Sequence, residues 1–279
     1  MFPTHEAGEV PVRARLTRAW PVRGARAGPK PGAPTTLRIM LVAAAVCPCP
    51  PLLVPAVASG AAPELDAARK ACADAVGLLA ASRPDLLVVV GPADQAARGP
   101  HPQGAPGSFA GFGVDLRVTL GPAPADGHAR EERELPPSLA VGAWLLERSD
   151  WSDAPVEGLG VGEPLEAARC ADAGRSLGAR ADRVALLVMG DGSACRTLKA
   201  PGYLDERATA FDEGVASALG AADTRALLEL DAELAYELKA AGRAPWQVLA
   251  GAAEGAGLGG RLLYEDAPYG VGYFVAVWS

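Results

Sequence analysis

The 279-residue sequence contains only three histidines, His5, His101 and His128. A centre that needs two ligating imidazoles and a third for proton transfer would consume all of them. Five cysteines, Cys47, Cys49, Cys72, Cys170 and Cys195, are too few and odd in number for a disulfide framework, so reduced thiols and a cytoplasmic setting are expected. No apolar run reaches the roughly 18–20 residues that span a bilayer. Lysine is scarce, with four against twenty-two arginines, the bias of a GC-rich coding sequence. The net charge of −7 gives neither nucleic acid nor an anionic membrane an electrostatic reason to bind.

The charge that is present is unevenly placed. Residues 1–38 carry a net +5, rich in Pro, Gly and Arg, with no helical or strand period. They read as a disordered tail or an over-extended translation start. An Arg-rich start before Ile39–Cys47 imitates a secretory signal, but Pro48, Pro50 and Pro51 break the run at once. The acidic remainder, residues 39–279, is expected to form a single domain.

From residue 39 the pattern alternates strand and helix. Strands are expected at Ile39–Val46, Leu86–Val90, Val184–Met189, Arg261–Tyr264 and Val271–Trp278, with an edge strand at Val114–Leu120. Helices are expected at Pro63–Ala81, Pro136–Arg148, Leu165–Ala179, Leu204–Leu219 and Trp246–Ala253, with shorter ones between Ala222 and Ala240. Leu65, Ala68, Cys72, Val76 and Leu79 form one apolar stripe, and Leu204, Ala208, Phe211 and Val215 another. Gly158–Gly162 and Gly257–Gly260 read as turns, and Ala97–Gly113 as a long Gly/Pro-rich rim or lid. Continuous apolar strands between helices argue for an α/β three-layer sandwich around a central, mostly parallel sheet. Ligands in such folds bind beyond the carboxyl ends of the strands. Three loops stand there: Cys47–Pro51, Gly91–Gln95 and Gly190–Cys195.

Cys49 and Asp191 are the candidate catalytic residues, as a thiol and a carboxylate at strand ends. Cys47, Ala93, Asp94, Ser193, Ala194 and Tyr269 are the candidate cleft-lining residues. Cys47 and Cys49, with Cys195, could hold zinc as thiolates, although C-x-C is tighter than usual zinc spacing; the competing reading is small side chains filling a core. Asp191, followed by Gly192, could equally accept hydrogen bonds from its own turn. Ser193 lacks a nucleophile elbow. Tyr203, Asp205, Tyr264, Glu265 and Asp266 read as surface or core edge, and Trp144, Trp151, Trp246 and Trp278 as core.

Six segments in order, CPCPPLLVP, DLLVVVGPADQ, GSFAGFGVDL, ALLVMGDGSA, PGYLDERATAFD and APYGVGY, resemble the class III extradiol ring-cleavage dioxygenase (LigB-like) family, which includes Memo-like proteins. The likeness runs from about residue 40 to 279 and implies a LigB-like fold and an open iron(II) site of two histidines and a carboxylate. Where the family reads Pro-His-Pro-Pro, Ser-Pro-His, Gly-Asp-Leu-Ser-His and Glu-Cys-Gly, this sequence has Cys49, Ala93, Ala194 and Ala240. The resemblance therefore implies a member with its metal positions substituted: no metal ligands, no cofactor expected, and a strand-end cleft for a small-molecule or protein partner. It also makes a homo-oligomer plausible. The alternatives are a metal- or thiol-dependent enzyme built on Cys49 and Asp191, or a dioxygenase with displaced ligands.

Overall fold

A computed structural model describes residues 41–122 and 133–279. The expectations placed on residues 1–38, on Ile39 and Met40, and on His5 and His128 lie outside the described residues. In chain order the main elements are β1 (Leu41–Cys47), α1 (Pro55–Ala58), α2 (Asp66–Ala81), β2 (Leu86–Pro92), β3 (Gly99–His101), β4 (Pro106–Ser108), β5 (Arg117–Thr119), α3 (Pro137–Arg148), β6 (Val156–Val161) and α4 (Ala167–Gly178). They continue with β7 (Val184–Met189), α5 (Arg207–Ala221), α6 (Thr224–Leu228), α7 (Ala232–Glu237), α8 (Arg243–Ala252), β8 (Gly260–Asp266) and β9 (Tyr273–Trp278).

Seven strands form one sheet in the order β3-β6-β2-β7-β1-β9-β8, and β4 pairs with β5 separately. The four inner strands β6, β2, β7 and β1 run parallel, while β9, β8 and β3 are antiparallel to their neighbours. The fold is thus α/β with a mixed sheet whose centre is parallel. Strand alternation divides the buried residues between two faces. Ala43, Ala45, Leu87, Val89, Leu187 and Met189 face α2 and α3. Val46, Val88, Val90, Leu186, Val188 and Trp278 face α4, α5 and α8. Helices therefore cover both sides, which is why β2 and β7 are apolar at every position rather than at alternate ones. Trp144, Trp151, Trp246 and Trp278 are all buried in these two cores. Each such side chain contributes about 1.5–3 kcal/mol through the area it removes from water.

Several local expectations change. Gly158–Gly162 is not a turn: Val156–Val161 is a strand, paired with β2 on one side and β3 on the other. Its glycines are required by close packing, because a Cβ on Gly158 would strike Leu120 at 2.9 Å. Ala97–Gly113 carries β3 and β4 rather than an open lid, and the edge strand expected at Val114–Leu120 shortens to Arg117–Thr119 outside the main sheet. Gly91 and Pro92 extend β2 instead of stopping it, with Pro92 paired to Val161 at the sheet's end. Leu204 precedes α5 and is exposed, so it is not part of that helix's buried stripe. Helix α8 begins at Arg243, and Pro245 sits in its first turn, where a missing N–H costs nothing.

Connections leave the parallel strands alternately. Strands β1 and β2 lead to α2 and α3 on one face, whereas β6 and β7 lead to α4 and α5 on the other. In the sheet these strands are interleaved, so each neighbouring pair sends its loops in opposite directions. Such divergence opens a crevice above the carboxyl ends of the strands.

Candidate functional site

Three prolines shape the loop after β1. Pro48, Pro50 and Pro51 have no N–H, so Cys49 is the one backbone donor between residues 48 and 51. That donor goes to Asp191 Oδ1 at 2.8 Å, across 142 residues of sequence. The Cys49 Sγ lies 3.8 Å from Asp191 Oδ2, so one carboxylate receives both groups of one residue. The loop then tightens into a turn, with Leu53 N–H donating to Pro50 O at 2.8 Å. Arg69, on α2, fixes it from below by donating to Leu53 O at 3.2 Å and to Asp66 Oδ1 at 2.7 Å, and to Ala62 O.

Asp191 follows the end of β7. Gly190 N–H donates to Cys47 O at 3.0 Å, and Asp191 O accepts from Gly242 N–H at 2.8 Å. The backbones of Gly190 and Gly242 touch: a Cβ on Gly190 would lie 2.6 Å from Gly242 Cα. Only glycine allows that approach. Burial raises the Asp191 carboxyl to about 7, although the bonds from Cys49 pull the other way. Burial first, then the Asp191 charge, pushes the Cys49 thiol well above its usual value. The phenol of Tyr273, buried on β9, is raised by burial and then by the charges of Asp191 and Cys49. Among the described residues no cation contributes to either shift of the pair, so the proton stays on sulfur at neutral pH.

Cys49 opens on a cleft of about 280 Å³ that is also lined by Pro92, Ala93, Asp94, Pro136, Pro137, Ser138 and Glu163. Ala93 is held by its N–H to Val161 O at 2.8 Å. Ser138 donates its hydroxyl to Pro92 O at 2.6 Å, which commits that proton to the wall. Glu163 is positioned by Arg243, an almost fully buried side chain on α8. The Arg243 guanidinium donates to Leu165 O at 2.7 Å, to Gln247 Oε1 at 3.0 Å, to Glu163 Oε1 at 3.4 Å and to Glu163 O. The sequence offered no sign of this arginine's role. Its backbone partners stand about eighty residues away.

The structure thus brings Cys49, Ala93, Asp94 and Asp191 to one place, and distributes the other candidates elsewhere. Cys47 is in the core rather than on the cleft wall, and its thiol is raised first by a hydrogen bond with Cys72 and then by burial. Ser193 is fully buried and donates both its N–H and its hydroxyl to Asp212, each at 2.8 Å. Ala194 bonds Leu238 O through its N–H at 2.8 Å, and Cys195 Sγ donates to the same carbonyl at 3.5 Å. The three thiols considered as a zinc set therefore point to three different surroundings. Ala240 is buried just after the α7 segment. Tyr269 is half-buried and does not line this cleft. Asp191 accepts from the β1 loop rather than from its own turn.

His101 is not a loop residue. It belongs to β3, is buried, and places Nε2 2.9 Å from Ala97 O. Arg133 caps the same turn through Ala96 O, Arg98 O and Pro100 O. Burial lowers the imidazole's pKa, so this histidine is a neutral structural pin away from the cleft. Among the described residues no three His, Cys, Asp or Glu side chains gather so as to hold a metal ion. Likewise, no helix among the described residues is long and apolar enough to cross a membrane.

No family model and no curated protein matches the sequence. Among solved structures it is similar to the uncharacterized protein JW3007 of Escherichia coli K12. That likeness has a TM-score of 0.52 and 17% identity, covering 85% of this chain and 99% of the other. At that identity the likeness establishes a shared fold, an α/β sandwich with a mixed central sheet, and nothing about chemistry.

Proposed function

We propose that this protein is a LigB-like scaffold, of the class III extradiol dioxygenase type, that has lost its iron site and binds a small molecule in the strand-end cleft. One observation carries the reading: the thiol after β1 and the carboxylate after β7 are bonded to each other, and no imidazole among the described residues lines the cleft. Ala93 lines the same cleft, and Ala194 and Ala240 are buried methyl groups. Methyl groups supply no electron pair, and a facial triad for iron(II) needs three N or O ligands with open positions. The residues present do not fit that ion. The cleft's size, near the lower end for small-ligand sites, favours a compact molecule over a protein segment.

Elemental analysis of the purified full-length chain, followed by anaerobic iron(II) loading with catechol and then air, tests the reading. The expected result is no stoichiometric metal and no ring-cleaved product. One iron per chain together with product would overturn it. A thermal-shift screen of small uncharged ring compounds tests the cleft itself. Binders should raise the melting temperature of the wild type and leave Ala93→Trp unmoved; equal shifts in both would place the ligand elsewhere.

A further inference from the structure

We propose that Cys49 is a covalent acceptor for conjugated electrophiles, α,β-unsaturated carbonyl compounds, with Asp191 as the base that takes its proton. The inference takes the strand-end cleft from the reading above as its binding site, but it does not depend on the family assignment. Its basis is geometric. Cys49, 7% exposed, lines this cleft, whereas the other four thiols are at most 2% exposed. Its sulfur stands 3.8 Å from a carboxylate oxygen whose other oxygen is fixed by the same residue's N–H. A thiol, a base oriented toward it, and a cleft lined by the same residue are the parts that nucleophilic addition requires.

The walls restrict the electrophile. Pro92, Pro136 and Pro137 present flat apolar surface, suited to a planar conjugated molecule. Asp94 and Glu163 are the charged residues of the lining, and Glu163 is paired with the Arg243 guanidinium, which leaves Asp94 as the charge that meets a ligand. An anionic electrophile is disfavoured, and a neutral or cationic one is accepted. In the step, the Cys49 sulfur forms a bond to the β-carbon, and the C=C π bond breaks toward the α-carbon. The thiol proton passes to Asp191 and then to that α-carbon. Nothing is oxidised or reduced, and no further reactant is needed.

The probe is N-ethylmaleimide at one equivalent, with adducts mapped by peptide mass spectrometry. The expected outcome is one adduct on Cys49 in the wild type and none in Cys49→Ser over the same time. Asp191→Asn should react on the order of 100-fold more slowly, the scale of a lost general base. A carboxylate-bearing maleimide should label the wild type more slowly than the uncharged one. First labelling at any other cysteine, or an Asp191→Asn rate equal to the wild type's, would overturn the proposal. Should Asp191→Asn fail to fold, the wild-type pH profile decides. Cys47 and Tyr273 are the titratable groups coupled to the pair, while Asp94 and Glu163 share the cleft lining and Glu163 is paired with Arg243. A rate that levels off by about pH 8 supports a carboxylate base, whereas a rate still rising beyond about pH 9 means that free thiolate does the work. Iron uptake would sink the scaffold reading and leave this chemistry standing; an inert Cys49 in an iron-free protein would do the reverse.

Discussion

Two carboxylates, the buried Asp212 and the half-buried Asp191, meet at one loop, Gly190–Cys195, and their surroundings differ in a telling way. Asp212, on α5, is fully buried and receives Ser193 N–H, Ser193 Oγ–H and the Arg196 guanidinium, the last at 3.0 Å. Its charge is matched by a cation and its oxygens are occupied. Asp191 receives the N–H and thiol of Cys49, draws on no cation among the described residues, and stands behind the thiol that lines the cleft. The first network is closed and holds the loop in place. The second is open on one side. A polar group left incompletely matched is expensive for the fold, so it marks the part of a molecule free to act on something else.

Substitutions can break this contrast, and the largest effect falls on the closed network. Asp212→Ala leaves two donors and the Arg196 charge without their partner; a loss of about 3–5 kcal/mol is expected in urea denaturation. Gly192→Ala should come next. A Cβ there would lie 2.7 Å from both Asp212 Oδ1 and the Phe274 ring, and overpacking of that kind costs about 1–3 kcal/mol in the same assay. The change at the open pair differs in sign. The Asp191 carboxyl titrates at about 7 in the fold against an ordinary value of 3.8. The folded state therefore binds more protons than the unfolded state between those values. Stability falls as pH rises from about 4 to 7 and is level above. Asp191→Asn removes that dependence, so the variant should be at least as stable as the wild type at about pH 8. A stability loss at that pH comparable to that of Asp212→Ala would erase the distinction between the two carboxylates.

The contrast also explains what the sequence made legible. Strand β7 was readable to the residue, because Val184–Met189 is apolar throughout and bounded by Arg183 and Gly190. The buried stripe of α2 was equally clear, with Ala68, Cys72, Val76 and Leu79 all in the core and Leu65 buried just ahead of the helix. Strand β6 was not legible. Val-Glu-Gly-Leu-Gly-Val looks like a turn, and only the approach of Leu120 and His101 explains why glycine stands in a strand. At the site, the strand-end position of Cys49 and Asp191 could be read, since Pro and Gly end the strands there. Their mutual bond could not, because local rules offer Asp191 its own turn and say nothing of a donor 142 residues earlier. Arg243 and Asp212 escaped notice for the same reason: each gains its role from partners brought by the tertiary fold.

The contact between Gly190 and Gly242 has a consequence for how this site could change over evolutionary time. With no room for even one methyl group between those two backbones, the floor beneath Asp191 is fixed in volume and shape. New specificity must then come from exchanging the side chains that project above it, at positions 49, 93 and 191. The platform holds its own geometry while the side chains above it are free to be exchanged.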